Sequence, residues 1–175
     1  MKHYILYLAL GLSLTFASCA NKEREVANAV LNSTATNQPI GSAKFTQLAD
    51  GKIKMDLEIN MPERADSTVA VHFHEHGDCG NMGENTHGHW NPTVESHGKW
   101  ESDSYHSGDI GNIPLDSKGH AKISVSTFRW SIAEGDAKNI IGRGIIVHGG
   151  TDDYVTQPTG NSGPRVGCGV IAAVK

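Results

Sequence analysis

The sequence predicts an all-β fold, either an antiparallel barrel or a sandwich. Short segments alternate apolar and polar residues, as half-buried strands do, because successive side chains point to opposite faces. Turn signals such as "LADGK", "LDSKGH" and "TGNSGP" separate these segments. No window has the periodicity of a convincing amphipathic helix, and the segment "SIAEGDAKNI" is interrupted by Gly135. These three observations favour many short strands joined by turns.

The strands can be placed along the chain from this alternation. The clearest is "GKIKMDLEIN", residues 51–60, in which Ile53, Met55, Leu57 and Ile59 share one face and charged residues occupy the other. Similar alternation predicts strands over residues 67–74, 120–127 and 143–148. Weaker patterns predict them over residues 26–31 and 42–48, and "GCGVIAAV" closes the chain.

Two long segments do not fit the strand pattern. Residues 77–111 and 149–167 are rich in glycine and poor in alternation. Long segments without regular structure in a compact domain are usually functional loops. We therefore expect the two loops to carry the functional residues, and the first of them contains several of the histidines.

The first eighteen residues, "MKHYILYLALGLSLTFAS", resemble a secretory signal peptide, with a lysine near the start and an apolar run short for a membrane span. The following "FASCAN" resembles the lipobox of bacterial lipoproteins. It predicts a lipid anchor on Cys19, a tether over residues 19–25 and a folded domain over residues 26–175. The alternative is ordinary cleavage after Ala20, which would discard Cys19. The lipoprotein interpretation predicts an exported protein, held at a membrane and facing the periplasm or the cell exterior.

Export determines how the remaining cysteines are interpreted. Only Cys79 and Cys168 remain once Cys19 is lipidated or removed. Two cysteines in an exported protein most simply form one disulfide, and two free thiols are the alternative. Such a disulfide would close a loop of about 90 residues and stabilise the fold by roughly 4–5 kcal/mol on the chain-entropy model.

The charge balance argues against nucleic acid as a partner. The full chain has a formal net charge of −4, and removing the first eighteen residues takes away one lysine and no acidic residue. A nucleic-acid-binding protein would be expected to carry a basic patch. The sequence contains no run of like charge that could form one.

Histidine is the compositional anomaly of this chain. Nine of its ten histidines fall between residues 72 and 148. The stretch "VHFHEHGDCG" places histidines at 72, 74 and 76, which alternation would put on one face of a strand. Whether all three bind metal is left open by this pattern. The candidate ligands are His72, His74, His89, His97, His106, Asp109 and His148.

Seven nitrogen and oxygen donors exceed what one metal ion needs, so their number indicates two sites. All-imidazole ligation suits Cu(II), whereas three histidines and a carboxylate suit zinc. The spacing of His106 and Asp109 lets both donors meet within one turn.

Several motifs together resemble the copper/zinc superoxide dismutases, particularly the exported bacterial forms. These motifs are "VHFHEHGDC", "GHWNP", "HSGDIGN", "IIGRGIIVHGGTDD" and "TGNSGPRVGCGVI". The resemblance implies an eight-stranded antiparallel Greek-key β-barrel, an immunoglobulin-like sandwich, with two long functional loops. It also implies conversion of superoxide to dioxygen and hydrogen peroxide by Cu(II)/Cu(I) cycling, with a structural zinc. The alternative is a non-enzymatic copper/zinc-binding protein on the same fold.

The resemblance also assigns roles to individual residues. His89 matches the histidine that bridges the two metals and handles a proton in catalysis, and Arg165 matches the arginine that guides and holds the anion. Asp152 matches a carboxylate that links one ligand of each metal, and Cys79 and Cys168 match the family's disulfide. The implied copper ligands are His72, His74, His89 and His148. The implied zinc ligands are His89, His97, His106 and Asp109.

Three further expectations follow from the resemblance. His76 matches no ligand position of the family. Residues 149–164 correspond to the loop that often carries attracting lysines, yet here they contain none and include Asp152 and Asp153. We therefore expect weak long-range attraction of the anion, resting on Arg165 and on basic residues elsewhere such as Lys99. Members of the family occur as monomers or dimers, so a homodimer is one alternative.

Overall fold

The computed structural model describes residues 22–174, so the expected signal peptide and Cys19 lie outside the described residues. The described chain folds into β-strands, with two short 3₁₀ helices at Pro62–Arg64 and Asn81–Thr86. The strands are β1 Arg24–Ser33, β2 Pro39–Gln47, β3 Ile53–Asn60, β4 Thr68–His74, β5 Asp109–Pro114, β6 His120–Thr127, β7 Gly144–His148, β8 Arg165–Val170 and β9 Ala172–Ala173. Among residues 22–174, none of the helices is long and apolar enough to span a membrane.

Eight strands form one antiparallel sheet that curls into a nearly closed barrel. Their hydrogen-bonded order is β5-β4-β7-β8-β1-β2-β3-β6, and the short β9 pairs with β1. The edge strands β5 and β6 approach each other, which brings the two ends of the sheet together. The connections from β3 to β4 and from β6 to β7 join strands that are not neighbours, as in a Greek key. The predicted all-β, eight-stranded barrel is confirmed.

β3 shows how the sequence builds the core. Its residues alternate between buried apolar and more exposed charged side chains, as the pattern of residues 51–60 predicts. Met55 lies between Phe45 of β2 and Val125 of β6 in the sheet register. Phe45 and Met55 are fully buried, so the alternation places one face of β3 against the interior of the barrel.

β4 and β7 are buried on both faces, unlike β3. Phe73 of β4 and Val147 of β7 belong to the hydrophobic core. His72 and His74 point to the opposite, outer face of the barrel and are nevertheless buried. In the register of this pair, Ala70 faces His148, so His148 lies on that same outer face. Two loops cover it: the first loop, residues 75–108, and the second loop, residues 149–164.

β5 corrects the prediction that residues 77–111 form one loop. The strand begins at Asp109 and pairs with β4, with an irregularity in register between Val71 and His72. Its sequence, "DIGNIP", contains Gly, Asn and Pro, which are depleted in strands and hid it from the pattern. Gly111 has φ of +95°, a conformation that favours glycine. The second predicted loop also ends earlier, because β8 begins at Arg165.

Candidate metal centre

Four parts of the fold bring the seven predicted donors together on the outer face of the barrel. β4 supplies His72 and His74, the last residue of β7 is His148, and β5 begins with Asp109. The first loop supplies the other three, which are His89, His97 and His106. All seven side chains are buried.

The first group of donors consists of four histidines, His72, His74, His89 and His148. One ring nitrogen from each lies within 4.8 Å of the others. His74 Nε2 and His148 Nε2 are 3.4 Å apart. His72 Nδ1 and His89 Nε2 are buried without a hydrogen-bond partner. A buried nitrogen without a partner is unfavourable, and a cation between the four rings would use these lone pairs.

The other ring nitrogen of three of these histidines is held by an oxygen. His72 Nε2 donates to Asp152 Oδ2 at 2.8 Å, His74 Nδ1 to the carbonyl of His87 at 2.7 Å, and His148 Nδ1 to the carbonyl of Gly163 at 3.1 Å. Each of these oxygens accepts a hydrogen bond from the ring nitrogen beside it, so that nitrogen carries the hydrogen of the neutral ring. The lone pair is then on the other nitrogen, which faces the centre of the group. The surrounding structure therefore sets the tautomers that a metal requires.

The second group combines three histidines with one carboxylate. His97 Nδ1 lies 2.9 Å from Asp109 Oδ2, and His106 Nδ1 lies 3.3 Å from Asp109 Oδ1. Neither nitrogen is aligned to form a hydrogen bond, although both are buried. Such short but misaligned contacts are expected when the donor atoms converge on a common point. Three imidazoles and a carboxylate form a donor set that zinc prefers.

His89 belongs to both groups. Its Nδ1 lies 2.9 Å from Asp109 Oδ1, on the side of the second group. Its Nε2 has no hydrogen-bond partner and is left for the first group. The ring also stacks on His72, with the centroids 3.9 Å apart. One imidazole can therefore face two metal ions.

Asp152 connects the two groups through their outer nitrogens. Its Oδ2 accepts from His72 and its Oδ1 accepts from His97 Nε2 at 2.9 Å. Asn112 holds the backbone of Asp152 through two hydrogen bonds of 2.8 Å, one in each direction. At Gly160, where φ is +68°, a Cβ would collide with Asp152 Oδ1. Sequence reasoning missed Asn112 and Gly160, because neither residue type indicates such a role by itself.

The two loops are also joined directly at His97. Gln157 of the second loop accepts the His97 N–H at 2.9 Å and donates to the His97 carbonyl at 3.0 Å. Cys79 and Cys168 form a disulfide that ties the first loop to β8, as predicted. The loops that supply most donors are thus fixed to each other and to the barrel.

The electrostatics of the first group match ligation, whereas His97 of the second group is an exception. Burial lowers the pKa of His74 to about 2, that of His72 to about 3 and that of His148 to about 4. These rings are therefore neutral at pH 7, which is the ligating form. Burial acts in the same direction at His97, but the carboxylates of Asp109 and Asp152 outweigh it and raise the pKa of His97 to about 9.

The two carboxylates titrate well below neutral pH. Burial opposes ionisation of Asp109 and Asp152, but contacts with the histidines outweigh burial and lower the pKa of each. Both groups therefore carry a negative charge at pH 7, which offsets part of the positive charge of bound metal ions.

A cavity of about 340 Å³ opens beside the first group and exposes it to solvent. Arg165 lines this cavity together with His74, His89 and His148. Its Nη1 donates to the Gly83 carbonyl and to Thr86 Oγ1, each at 2.6 Å, and its Nη2 donates to the His87 carbonyl at 2.8 Å. These bonds hold a positive charge at the mouth of the cavity.

Glu84 also lines the cavity, and the sequence did not single it out. Its Oε1 lies 3.5 Å from Arg165 Nε, and its side chain is 60% exposed. No lysine is among the residues that line this cavity, so Lys99 does not take part in it. The cavity therefore combines one held arginine with one nearby carboxylate.

His76 resolves the question raised by "VHFHEHGDCG". β4 ends at His74, so alternation stops there and His76 is exposed. His76 belongs to neither buried group. The expectation that two of the three histidines lie with the metal donors agrees with this geometry.

Comparison with known proteins agrees with the two groups of metal-donor residues, since the matches are copper/zinc superoxide dismutases. The sequence model of the family described as copper/zinc superoxide dismutase (SODC) matches residues 39–171. "Superoxide dismutase [Cu-Zn] 1" of Aquifex aeolicus (strain VF5) is 34% identical over 139 residues, which cover 77% of this chain and 80% of the relative. "Extracellular superoxide dismutase [Cu-Zn]" of Caenorhabditis elegans is 32% identical over 177 residues, 98% of this chain and 78% of the relative.

The fold is shared with solved structures as well. The crystal structure of a SOD-like protein from Bacillus subtilis superposes with a TM-score of 0.72 at 26% sequence identity. The superposition covers 82% of this chain and 96% of that protein.

Substituting His74 and His76 separately should distinguish a buried donor from a surface histidine. We expect His74→Gln to lower the copper content of the purified protein at least tenfold, because it removes one of four converging nitrogens. His76→Gln should leave one copper and one zinc per chain after brief treatment with a chelator that strips exposed sites. Elemental analysis measures both. Equal copper content in the two variants would show that the first group is not the copper site.

Proposed function

The chain belongs to the copper/zinc superoxide dismutase family, and from this premise we propose how its own residues bind the metals and handle the substrate. The protein is a superoxide dismutase that uses copper and zinc and converts superoxide to dioxygen and hydrogen peroxide. The observation that carries the residue assignments is that His89 is shared by two buried groups of four donors.

We assign copper to the all-histidine group and zinc to the group that contains Asp109. The unpartnered ring nitrogens and the two donor sets support this assignment. When bound, copper supplies one-electron chemistry between Cu(II) and Cu(I), and zinc supplies a fixed positive charge. The proposed copper ligands are His72, His74, His89 and His148, and the proposed zinc ligands are His89, His97, His106 and Asp109.

Arg165 is proposed to attract superoxide and to hold it beside the first group. Its guanidinium is fixed by three hydrogen bonds to the 83–87 segment, so it needs little reorganisation when the anion arrives. An arginine that is held in this way favours one approach of the anion, into the cavity that His74 and His148 line.

His89 is proposed to carry a proton at Nε2 during turnover, whenever that nitrogen is not acting as a copper ligand. Two superoxide anions and two protons give one dioxygen and one hydrogen peroxide, so each turnover must deliver protons to the cavity. His89 Nε2 is positioned for this role, since His89 lines the cavity and this atom makes no other hydrogen bond. Nδ1, beside Asp109, keeps the ring oriented while Nε2 takes up and releases the proton.

Asp152 is proposed to act as a positioning residue. It holds the outer nitrogens of His72 and His97, one proposed ligand of each metal. Carboxylates in this position fix ring orientation and raise the basicity of the ligating nitrogen.

Export is supported by two observations. The Cys79–Cys168 disulfide is of a kind that persists in oxidising compartments, and the Caenorhabditis elegans relative is described as extracellular. We further propose that residues 1–18 are a signal peptide, that Cys19 carries lipid and that the 19–25 tether joins a membrane to the domain over residues 26–175. The protein would then face the periplasm or the cell exterior.

The anchor can be tested by mass spectrometry of the mature protein. We expect an N-terminal peptide that begins at Cys19 and carries the mass of a diacylglycerol, because the lipobox cysteine becomes the first residue after processing. The control is Cys19→Ser, which should abolish the lipid mass and release the protein from membranes. A mature chain that begins at Asn21 would contradict the proposal and indicate cleavage after Ala20.

Arg165→Ala should separate substrate handling from metal binding. Wild-type protein with copper and zinc bound should remove superoxide faster than an equal concentration of free copper, measured by pulse radiolysis. In Arg165→Ala we expect a several-fold lower second-order rate constant with unchanged copper content, because the guanidinium touches the anion and not the metal. Arg165→Lys should recover part of the rate. An unchanged rate in Arg165→Ala would contradict the role given to this residue.

Glu84→Gln should raise the rate constant. The carboxylate of Glu84 lies beside Arg165 and faces the same anion, so its removal should increase the rate about two-fold at low salt, with the gain shrinking as salt screens it. Glu134→Gln removes one exposed carboxylate outside the cavity and has the same net charge, so it serves as the control. The same increase in both variants would mean that net charge, and not Glu84, controls the rate.

A further inference from the structure

A third group of metal-binding side chains lies on the surface, outside the two buried groups. Glu75, His76 and His87 each contribute one oxygen or nitrogen atom, and these atoms lie within 4.8 Å of one another. The rings of His76 and His87 meet edge to face with centroids 4.7 Å apart. All three residues are exposed. Neither the family resemblance nor the proposed function uses them.

The backbone holds this group together. Glu75 N–H donates to the Gly88 carbonyl at 3.0 Å, and His76 N–H donates to the Thr86 carbonyl at 3.1 Å. With the bridge between His74 and His89, these bonds pair the start of the first loop with residues 86–89 in antiparallel fashion. Side chains that face each other across such a pair lie close together. This pairing places His76 opposite His87, and Glu75 is the residue adjacent to His76, so the backbone brings the three donors into one region.

We propose that Glu75, His76 and His87 form a third metal site, which binds one exchangeable divalent transition-metal ion such as Zn(II). Two imidazoles and one carboxylate are donors that these ions accept readily. Three protein ligands leave a position open to water, as the exposure of the group allows. The ion at this site exchanges with solvent more readily than the ions in the buried groups.

The location of the site connects it to the buried centre. The carbonyl of His87 accepts from His74 Nδ1 at 2.7 Å and from Arg165 Nη2 at 2.8 Å. An ion bound by the His87 imidazole thus fixes the residue whose backbone positions a proposed copper ligand and the anion-holding arginine. Binding of the surface ion stabilises this part of the fold by mass action.

The backbone conformation of His87 allows its side chain to be removed by substitution with glycine. Its φ of 61° and ψ of −139° lie in a region that residues with a Cβ rarely adopt and that glycine adopts without strain. His87→Gly therefore keeps the carbonyl that holds His74 and Arg165 while it removes only the imidazole. We therefore expect this variant to keep its fold, which its melting temperature without added Zn(II) would verify.

Equilibrium dialysis with Zn(II) tests the proposal. Protein with copper and zinc in the buried groups is first passed through a chelating resin, and its metal content is measured to show that those groups are intact. We expect wild-type protein to take up one further equivalent of Zn(II), and the melting temperature to rise with Zn(II) concentration. His76→Gln and His87→Gly should weaken this uptake at least tenfold and abolish the rise.

His120→Gln is the matched control, because His120 is an exposed histidine on β6 outside the group. It should bind the further equivalent as the wild type does. The proposal is overturned if the wild type binds no further Zn(II), or if His76→Gln and His120→Gln bind it equally. Failure of the buried groups would be seen separately, in the metal content before dialysis.

Discussion

The burial of six histidines and one aspartate, the seven proposed metal donors, is the constraint on which the rest of this structure depends. Each donor must find a partner for both of its polar ends, since an unsatisfied buried group is costly. The outer ends are satisfied by Asp152, by carbonyl groups and by backbone N–H groups; Asp109 Oδ2, for example, accepts from His106 N–H at 2.8 Å. Several inner nitrogens, such as His72 Nδ1 and His89 Nε2, have no hydrogen-bond partner, and we propose that bound ions use them. The arrangement of both loops follows from this division.

The loops are long, yet the site they form is held from several directions. Asp152 connects one histidine from a strand with one from the first loop, and Gln157 pairs with the backbone of His97. The disulfide joins the first loop to β8. Because β4 and β7 each pair with a strand on both sides, the histidines they carry are placed by the barrel itself. These hydrogen bonds and the disulfide hold the two loops in place against the barrel.

We expect the attraction of the superoxide anion to depend on short-range contacts at the cavity. The chain has a negative formal net charge, and residues 149–164 carry acidic residues and no lysine. We therefore propose that the held guanidinium of Arg165 is the main attraction for the anion at the cavity, and that Glu84 partly offsets it. His87 lies at the centre of this arrangement, since its carbonyl holds Arg165 and His74 while its side chain faces the surface group.

The sequence by itself determined the strands whose two faces differ, because alternation in β3 reports burial directly. It also predicted which seven side chains form the two buried groups, since His-x-His on a strand and the family motifs are local patterns. Only the tertiary structure decided the rest. β5 owes its strand conformation to pairing with β4. Asn112 and Gly160 contact Asp152, and Glu84 contacts Arg165; these contacts form only when the loops are folded. His76 joins His87 because the backbone pairs residues 75–76 with residues 86–88. No local pattern records such contacts, since they depend on where the barrel brings separate segments together.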